Sequence, residues 1–404
     1  MAAPTAFSQS LHTPSGTELD APSIERSEKG WSKLAADGKT NPTEIIRWGS
    51  YQGVLNQSAA WLSDGSWLCG DLKLLDDKLV VNNAWFLDVQ IPLTSLRGLV
   101  IQPKSSQRAW LKLQFWMESA TGSDDLVRHK DGKTHAGLIE LMNQEDPSAV
   151  LVELAKGGTK TTWSSEDVHA IVFSPALTGS VPRDRQGTTL AFSDGSLLHA
   201  KRLEVVQGRL SVTTDAGLLL TSIDSAQRIS KELQFVHRNS DVKYLSDMPI
   251  AQYKYLPGSS SLRWELGVDE DCLGRPLLVD GGVVPKGLAM HASSQVAFRW
   301  NGAPAVFRSE LRFAKPPNGG SSQLGNARCQ LLVARNGKLE SAVEVILDRN
   351  HKAAAAVEID VQDAQLIVLV TEEHQKGQFG DHVLWLDARL DEKDTRQENL
   401  PKKK

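Results

Sequence analysis

Apolar residues alternate with polar ones over short stretches along most of the chain, from about Trp48 onwards. This alternation is typical of half-buried β-strands, and the Asp-Gly and Asn-Asn pairs between the stretches are typical of hairpin turns. Helical spacing is weak throughout. Its best example, from Ser222 to Leu233, predicts one short helix. The pattern therefore predicts an all-β protein.

One stretch of this pattern recurs along the chain. Residues 63–68 read SDGSWL and residues 193–198 read SDGSLL, and alternating apolar residues follow each of them. A middle copy is indicated at Asp131-Gly132, because residues 168–175 (VHAIVFSP) echo residues 96–103 (LRGLVIQP). A unit of roughly 40 residues cannot bury its apolar face alone, so neighbouring copies must pack together. Residues 43–237 are thus predicted to form a β-rich domain of two or three hairpin repeats, with an unknown ligand.

The remaining segments complete the predicted domain organisation. Residues 1–42 are rich in Ser, Thr, Pro and Ala without periodicity, which predicts a disordered arm or linker. The strand pattern resets after Asn239, so a second domain is expected at 238–392. A charged tail is expected at 393–404, where the chain ends in three lysines.

Composition narrows the classes of partner. The formal net charge of -4 over 404 residues offers no positive field for a polyanion, which argues against nucleic acid. No apolar run approaches the roughly 20 residues needed to cross a bilayer. The opening stretch also lacks the charged start and apolar run of an export signal. The three cysteines are too few and too far apart for a disulfide framework or a metal cluster.

The last third of the chain carries four segments in a recognisable order. They read YLSD at 244–247, VDEDCLGRPL at 268–277, KGLAMHA at 286–292 and GDHVLWLDARL at 380–390. In this order and spacing, residues 244–390 resemble the NPCBM family of carbohydrate-binding modules. The resemblance implies a galactose-binding-like jelly-roll sandwich and an extracytoplasmic (periplasmic, surface or secreted) location. The chain departs from the family after Phe307, where a common acidic pair is missing, and in the Gly-, Ser- and Pro-rich loop 315–327.

Four residues of this module are candidates for carbohydrate binding. Trp264 stands before an acidic loop and could stack on the apolar face of a sugar ring. His291 lies in an apolar strand, where a structural role is the alternative. Asp381 and Trp385 belong to the last strand, and a period of two places them on the face opposite His382 and the expected core.

Two further acidic residues are candidates for a structural calcium ion. In related sandwich domains an acidic residue near the last strand helps to bind calcium, and Asp387 occupies the comparable place. Asp269 could supply another of the hard oxygen ligands that calcium prefers. The alternative is that Asp387 pairs with Arg389 or accepts a hydrogen bond from a backbone amide.

The leading interpretation is a non-catalytic, lectin-like protein whose C-terminal module recognises glycans. One alternative is a structural scaffold for protein partners with a decayed sugar site. Another is a glycoside hydrolase with its active site in 43–237, although the glutamates there belong to no catalytic motif. These glutamates are Glu118, Glu140, Glu145, Glu153 and Glu166. The chain also lacks a Gly-x-Ser-x-Gly elbow, a His-Glu-x-x-His motif and a phosphate-binding loop.

Overall fold

A computed structural model describes most of the chain and divides it into two compact units. The described residues are 10–18, 23–34, 40–51, 53, 55–75, 78–104, 106–143, 150–156, 159–179, 187–238, 242–256, 263–279, 281–314, 325–350, 354–375 and 381–393. Residues 21–240 form one unit, called here the repeat unit, and residues 1–20 with 241–404 form the other, called the sandwich unit. No helix among the described residues is long and apolar enough to span a membrane.

The described elements are nearly all strands. The first are β1 Leu11–Thr13, β2 Gly16–Glu18, β3 Ile24–Ser27, β4 Gly30–Leu34, β5 Thr40–Pro42, β6 Arg47–Gly49, β7 Ala59–Leu62, β8 Trp67–Cys69, β9 Asp71–Leu75, β10 Lys78–Asn82, β11 Val89–Pro92 and β12 Leu96–Val100. Next come α1 Gln107–Glu118, β13 Asp125–His129, β14 Thr134–Asn143, β15 Val150–Lys156, β16 Thr159–Trp163, β17 Val168–Val172, α2 Pro175–Thr178, β18 Thr188–Phe192, β19 Leu197–Val206, β20 Arg209–Thr214, β21 Leu219–Ser225, α3 Ala226–Ser230 and β22 Leu233–Arg238. The last are β23 Lys243–Tyr244, β24 Ile250–Tyr255, β25 Gly267–Val268, β26 Leu277–Val279, β27 Gly282–Val284, β28 Gly287–His291, β29 Ser294–Arg299, β30 Ala305–Phe313, β31 Asn326–Arg335, β32 Lys338–Asp348, β33 Ala354–Asp360, β34 Leu366–Glu373 and β35 His382–Glu392. Short 3₁₀ helices occur at Leu93–Ser95, Ser165–Asp167 and Leu245–Asp247. The predicted all-β class is confirmed.

Three copies of one strand arrangement build the repeat unit, at 59–100, 125–172 and 188–238. In each copy the first strand pairs with the second across an Asp-Gly turn and with a return strand on its other side. The first strands are β7, β13 and β18, and the return strands are β12, β17 and β22. The hairpin register is the same in all copies, with the pairs Ala60↔Leu68, Val127↔His135 and Leu190↔Leu198. The predicted hairpin repeats are confirmed, and there are three of them.

The Asp-Gly turns explain why the copies share a sequence signature. The glycines Gly65, Gly132 and Gly195 have φ angles of 85°, 87° and 96°, which other residues adopt only with strain. The aspartates ahead of them are Asp64, Asp131 and Asp194. Each accepts a hydrogen bond on Oδ1 from the backbone N–H two residues later, at 2.8, 2.9 and 2.8 Å.

The first and third copies also exchange hydrogen bonds. Ser66 Oγ accepts from the backbone N–H of His199 (2.9 Å), and Ser196 Oγ accepts from the backbone N–H of Cys69 (3.0 Å). Both serines are fully buried. The two turns are thus related by a local pseudo-two-fold arrangement, and each supplies a partner that the other copy needs.

The sandwich unit packs two antiparallel sheets face to face. One sheet has the order β25-β28-β35-β30-β33, with β23 also paired to β35, and the other has the order β24-β29-β34-β31-β32. The core between them includes Phe298, Phe307, Leu331, Leu369 and Trp385. The predicted jelly-roll sandwich is confirmed.

A β-bulge in β35 overturns the predicted faces of the last strand. Between the pairs Arg308↔Arg389 and Glu310↔Leu386 two residues of β35 oppose one of β30, and Asp387 has a φ of 48°. A bulge of this kind reverses the alternation beyond it. Trp385, on the face predicted to be polar, therefore lies in the core between the sheets. The opposite side holds a smaller apolar cluster that includes Leu384 and Leu386.

Two other expectations require correction. Residues 1–42 are not an arm throughout, because β1 to β5 form there and Leu11, His12 and Ile24 are buried. These strands pair locally, β1 with β2 and β4 with β3 and β5, but groups that contact them, such as Arg389 at His12, are distant in sequence, so local composition did not reveal the strands. The helix α1 was also missed, although Ser106 caps its N-terminus and Trp110, Leu113 and Met117 bury one face. The short helix expected within 222–233 is present as α3. The predicted tail beyond Lys393 lies outside the described residues.

Removal of either exchanged serine hydroxyl is expected to destabilise the repeat unit. Ser66→Ala and Ser196→Ala each leave a buried backbone N–H without its acceptor, which costs about 1–3 kcal/mol. Urea unfolding followed by tryptophan fluorescence measures the loss. Ser193→Ala is the matched control, since its hydroxyl bonds Glu232 at an exposed position. Equal stability of all three variants would contradict the exchange.

Candidate functional site

Three rings form a compact cluster at the strand ends of the sandwich unit, called here the aromatic cluster. His291 and His382 are direct partners across β28 and β35, and their ring centroids are 4.5 Å apart. Trp264 stacks on His291 at 4.9 Å with an interplanar angle of 8°. Its edge-on contact with His382 is at 4.6 Å. The sheet register thus fixes two of the rings, and the third is laid over them.

Tyrosine side chains border the tryptophan of this cluster. Trp264 lies between β24 and β25, where the Tyr253 hydroxyl donates to its backbone carbonyl (2.9 Å). The Tyr255 ring lies 6.2 Å from that of His291. The Tyr255 hydroxyl is buried and has no hydrogen-bond partner among the described residues. Such an atom can satisfy a ligand hydroxyl at the cluster.

Both imidazoles of the cluster are neutral at neutral pH. Burial lowers the pKa of His291, and burial together with the neighbouring His291 lowers the pKa of His382 to about 4. His291 Nδ1 contacts the carbonyl of Ala292. Because a carbonyl only accepts, Nδ1 carries the proton and Nε2 is left as an acceptor. The rings can therefore exchange hydrogen bonds with neutral hydroxyl groups.

Fixed charges surround the cluster. Arg349 lies over the Phe313 ring at 4.6 Å and donates to the carbonyl of Ala314 (2.7 Å). Arg275 Nε donates to Asp271 Oδ2 (2.7 Å). A half-buried indole, two neutral imidazoles and anchored guanidinium groups suit a ligand that has both apolar C–H faces and hydroxyls.

The other two predicted sugar contacts do not lie at this surface. Asp381 is fully buried, and its Oδ1 accepts from the backbone N–H of Asn326 (2.8 Å). Burial raises the pKa of its carboxyl group to about 7. Trp385 is also fully buried, and its Nε1 donates to Thr371 (3.3 Å). The bulge at Asp387 accounts for Trp385, because it turns the indole into the core.

Asp387, a predicted calcium ligand, faces the N-terminal strand β1 instead. His12 Nε2 lies 3.6 Å from Asp387 Oδ2 and 3.5 Å from Glu310 Oε2. Arg389 Nη1 donates to His12 Nδ1 (3.2 Å), so the Nε2 proton is the one directed at the carboxylates. Arg389 Nη2 donates to the carbonyl of Thr13 (3.0 Å). These side chains are buried, and together they form the His12 cluster.

The second predicted calcium ligand has its own partners. Asp269 Oδ2 accepts from Lys286 Nζ (2.9 Å), and its Oδ1 accepts from the backbone N–H of Gly287 (3.0 Å). Within the described ranges no three His, Cys, Asp or Glu side chains are arranged to hold a metal ion. Asp269 and Asp387 therefore do not fit a shared calcium site, because Lys286 pairs with the Asp269 carboxylate and His12 Nε2 lies 3.6 Å from that of Asp387.

The glutamates considered for a hydrolase lie on several elements. Glu118 ends α1, and Glu166 is exposed on a 3₁₀ helix. Glu140 of β14 lies 3.8 Å from Lys160 and is in register with Glu153 of β15. Glu145 lies outside the described residues. Strand register alone does not assign a catalytic task to this pair, so the hydrolase alternative stays a prediction.

The structure brings the predicted contacts Trp264 and His291 together with His382, which sequence reasoning assigned to the core; sugar binding by these residues stays a prediction. Tyr255 and Arg349 were missed, since neither belongs to a motif. His12 was missed because its partners are more than 290 positions away. The one sequence feature that could have pointed to His382 is its position next to Asp381, a predicted sugar contact.

Comparison with known proteins identifies the module. Residues 241–391 match the NPCBM/NEW2 domain family. No protein with a curated description matches the chain. Among solved structures, the CBM51-2 and INT domains of Clostridium perfringens ZmpB are similar at 19% identity and a TM-score of 0.31. That alignment covers 47% of this chain and only 39% of the other.

Two further structures are similar over different spans. CBM51 from Clostridium perfringens GH95, in complex with methyl-galactose, is 16% identical with a TM-score of 0.30 and covers 37% of this chain and 99% of that one. The tandem CBM51 modules of Sp3GH98, a family 98 glycoside hydrolase from Streptococcus pneumoniae, are 15% identical with a TM-score of 0.29. They cover 66% of this chain and 87% of that one.

The pKa of His382 predicts how stability depends on pH. The unfolded histidine, with its ordinary pKa of 6.5, binds a proton that the folded ring does not bind until about pH 4. The free energy of unfolding should therefore fall as the pH falls from 6.5 to 4, by roughly 3 kcal/mol from this group. His382→Gln should remove that dependence. The free energy of unfolding of the variant should therefore increase relative to that of the wild type as the pH falls.

Asp381→Asn is the matched control for this measurement. The folded carboxyl keeps its proton up to about pH 7, whereas the unfolded one loses it near 3.8. The free energy of unfolding of the asparagine variant should therefore increase relative to that of the wild type as the pH rises from 4 to 7. Denaturant unfolding at a series of pH values tests both predicted directions. If the free energy of unfolding changed with pH in the same way for the wild type and both variants, the predictions would be wrong.

The His12 cluster predicts that strand β1 stabilises the sandwich unit. His12→Ala removes the ring between Glu310 and Asp387 and leaves these buried carboxylates with fewer donors, at a cost of about 2–3 kcal/mol. Thermal unfolding by circular dichroism measures the loss. His374→Ala, at a partly exposed position of the same unit, should leave the midpoint unchanged. An unchanged midpoint for His12→Ala would show that β1 does not anchor there.

Proposed function

We propose that this chain, whose residues 241–391 are an NPCBM/NEW2 domain, is a non-catalytic carbohydrate-binding protein. The observation that carries the proposal is the aromatic cluster of Trp264, His291 and His382. These three rings meet at the ends of β28 and β35, next to the Tyr255 hydroxyl, which has no hydrogen-bond partner in the part of the chain that the structure describes.

The chemistry of the cluster matches that of a sugar. One face of a pyranose ring is lined with C–H groups and stacks on an indole, while its edges present hydroxyls. Neutral imidazoles donate and accept hydrogen bonds with hydroxyls without the cost of removing a charge from water. Arg349 and Arg275 lie close enough to act on the pKa of His382 and can serve as further donors. The cluster therefore favours a neutral sugar over a charged one.

The proposal also concerns the repeat unit, the location of the protein and calcium. We propose that the repeat unit, predicted from sequence as a domain at 43–237, accompanies the module as a separate binding or positioning domain. An extracytoplasmic setting is consistent with a glycan ligand and with the secreted proteins in which the family is known. Calcium is not required by this proposal, because Asp269 and Asp387 have protein partners.

Replacement of the stacking tryptophan tests the proposal. Trp264→Ala in the full chain should weaken binding of the best ligand on a glycan array, with methyl β-galactoside as first probe, by on the order of tenfold or more. Isothermal titration calorimetry measures the change. Trp300→Phe is the control, since its indole is buried beneath Lys243.

The alternatives make different predictions in the same experiments. A scaffold with a decayed sugar site would bind nothing on the array at millimolar sugar, and that result would sink the proposal. A hydrolase would release reducing ends from a polysaccharide panel, and the activity would disappear when a glutamate of 43–237 is replaced.

A further inference from the structure

A second cluster of the same ring types lies in the middle copy of the repeat unit. The His135 and Trp163 rings are 5.0 Å apart, and His129 lies 6.1 Å from each of them. His129 ends β13, His135 lies on β14 and Trp163 ends β16. Three strands of one copy therefore converge on two imidazoles and an indole, as in the aromatic cluster of the sandwich unit.

The equivalent positions of the first and third copies hold apolar residues. The common hairpin register aligns His135 with Leu68 and Leu198, and pairing with the return strand aligns His129 with Leu62 and Phe192. These four apolar residues are all at most 1% exposed. Trp163 stands two residues before the 3₁₀ helix, where the first copy has the buried Ile91. Two positions that hold core residues in copies one and three thus carry imidazoles in copy two, and a position that is buried in copy one carries Trp163.

This replacement opens the end of the middle copy to solvent. His129 is 19% exposed, and His135 and Trp163 are partly exposed. Stability alone favours aliphatic residues at core positions, because an imidazole there must find hydrogen-bond partners. A departure from the pattern that the other two copies keep points to a function at this place.

The polar groups around the rings are held in fixed positions. Asp131 Oδ1 lies 3.0 Å from His129 Nδ1 and accepts from the backbone N–H of Lys133 (2.9 Å). Lys130 pairs with Asp167 across the turn. These hydrogen bonds and neighbouring cations hold the pKa of Asp131 below its usual range, so it is a carboxylate acceptor at neutral pH. Since the charges are paired, the surface offers hydrogen bonds without a net field.

We infer that the middle copy carries a second carbohydrate site, with Trp163 as the stacking surface and His129, His135 and Asp131 as partners for hydroxyls. Only the ligand class rests on the proposed function of the sandwich unit. The geometry suits a sugar better than a metal ion, because no three ligating side chains of the described chain are arranged for one. The protein would then hold two points of a glycan, or two glycans, on one chain.

Fluorine NMR of the full chain labelled with 5-fluorotryptophan tests the second site. The resonance of Trp163 is assigned by its loss in Trp163→Phe, and methyl β-galactoside and the best array ligand are the probes. We expect the Trp163 and Trp264 resonances to shift with sugar, while that of Trp116, which lies beneath the Arg128 guanidinium, stays in place. A Trp163 resonance unmoved at saturation of Trp264 would overturn the inference.

Binding stoichiometry separates this inference from the proposed function. Trp264→Ala should leave one site, and adding His135→Ala or Trp163→Ala should weaken the remaining binding at least tenfold, while adding Trp116→Ala should not. Residual binding unaffected by both changes in the middle copy would refute the second site alone. If neither tryptophan responds to any sugar, both proposals fail. His135→Ala keeps the indole, so it remains informative if the Trp163 variant folds poorly.

Discussion

The register between β28 and β35 is the constraint on which the sandwich unit depends. It places His291 opposite His382, so that two imidazoles share one face at the strand ends. The same pairing continues to Gly287 opposite Leu386, immediately before the bulge at Asp387. A slip of one residue would bury the wrong set of side chains and separate the two rings. The aromatic cluster and the core are thus fixed by one set of backbone hydrogen bonds.

The bulge divides the last strand into two regions with different roles. Before it, Trp385 fills the core and His382 reaches the aromatic cluster. Beyond it, Asp387 and Arg389 meet His12 from the start of the chain. Strand β1 therefore lies against Asp387, the residue predicted to bind calcium. Residues 11–13 are in this sense part of the sandwich rather than an appendage.

Much of the fold could be predicted from the sequence, for reasons that particular residues make clear. Asp64-Gly65 and Asp194-Gly195 were recognisable because turn chemistry is local, and the sandwich was recognisable from four ordered segments. The arm at 1–42 was misjudged because β1 is stabilised by partners such as Arg389, which lies 377 positions from His12. Trp385 was misjudged because a period of two does not anticipate a bulge. Trp264 and His291 were predicted as sugar contacts, but the contact they both make with His382 depends on strand pairing that no local pattern shows.

The adjacent residues Asp381 and His382 have a joint consequence for the proton balance of folding. Over the range from about pH 4 to 6.5, burial makes the folded histidine give up a proton. Over nearly the same range, burial makes the folded aspartate take one up. Folding can thus transfer a proton, in effect, from one side chain to its neighbour with little exchange with the solvent. The sandwich can therefore bury two ionisable groups beside its aromatic cluster and still keep a similar stability in acidified and neutral surroundings.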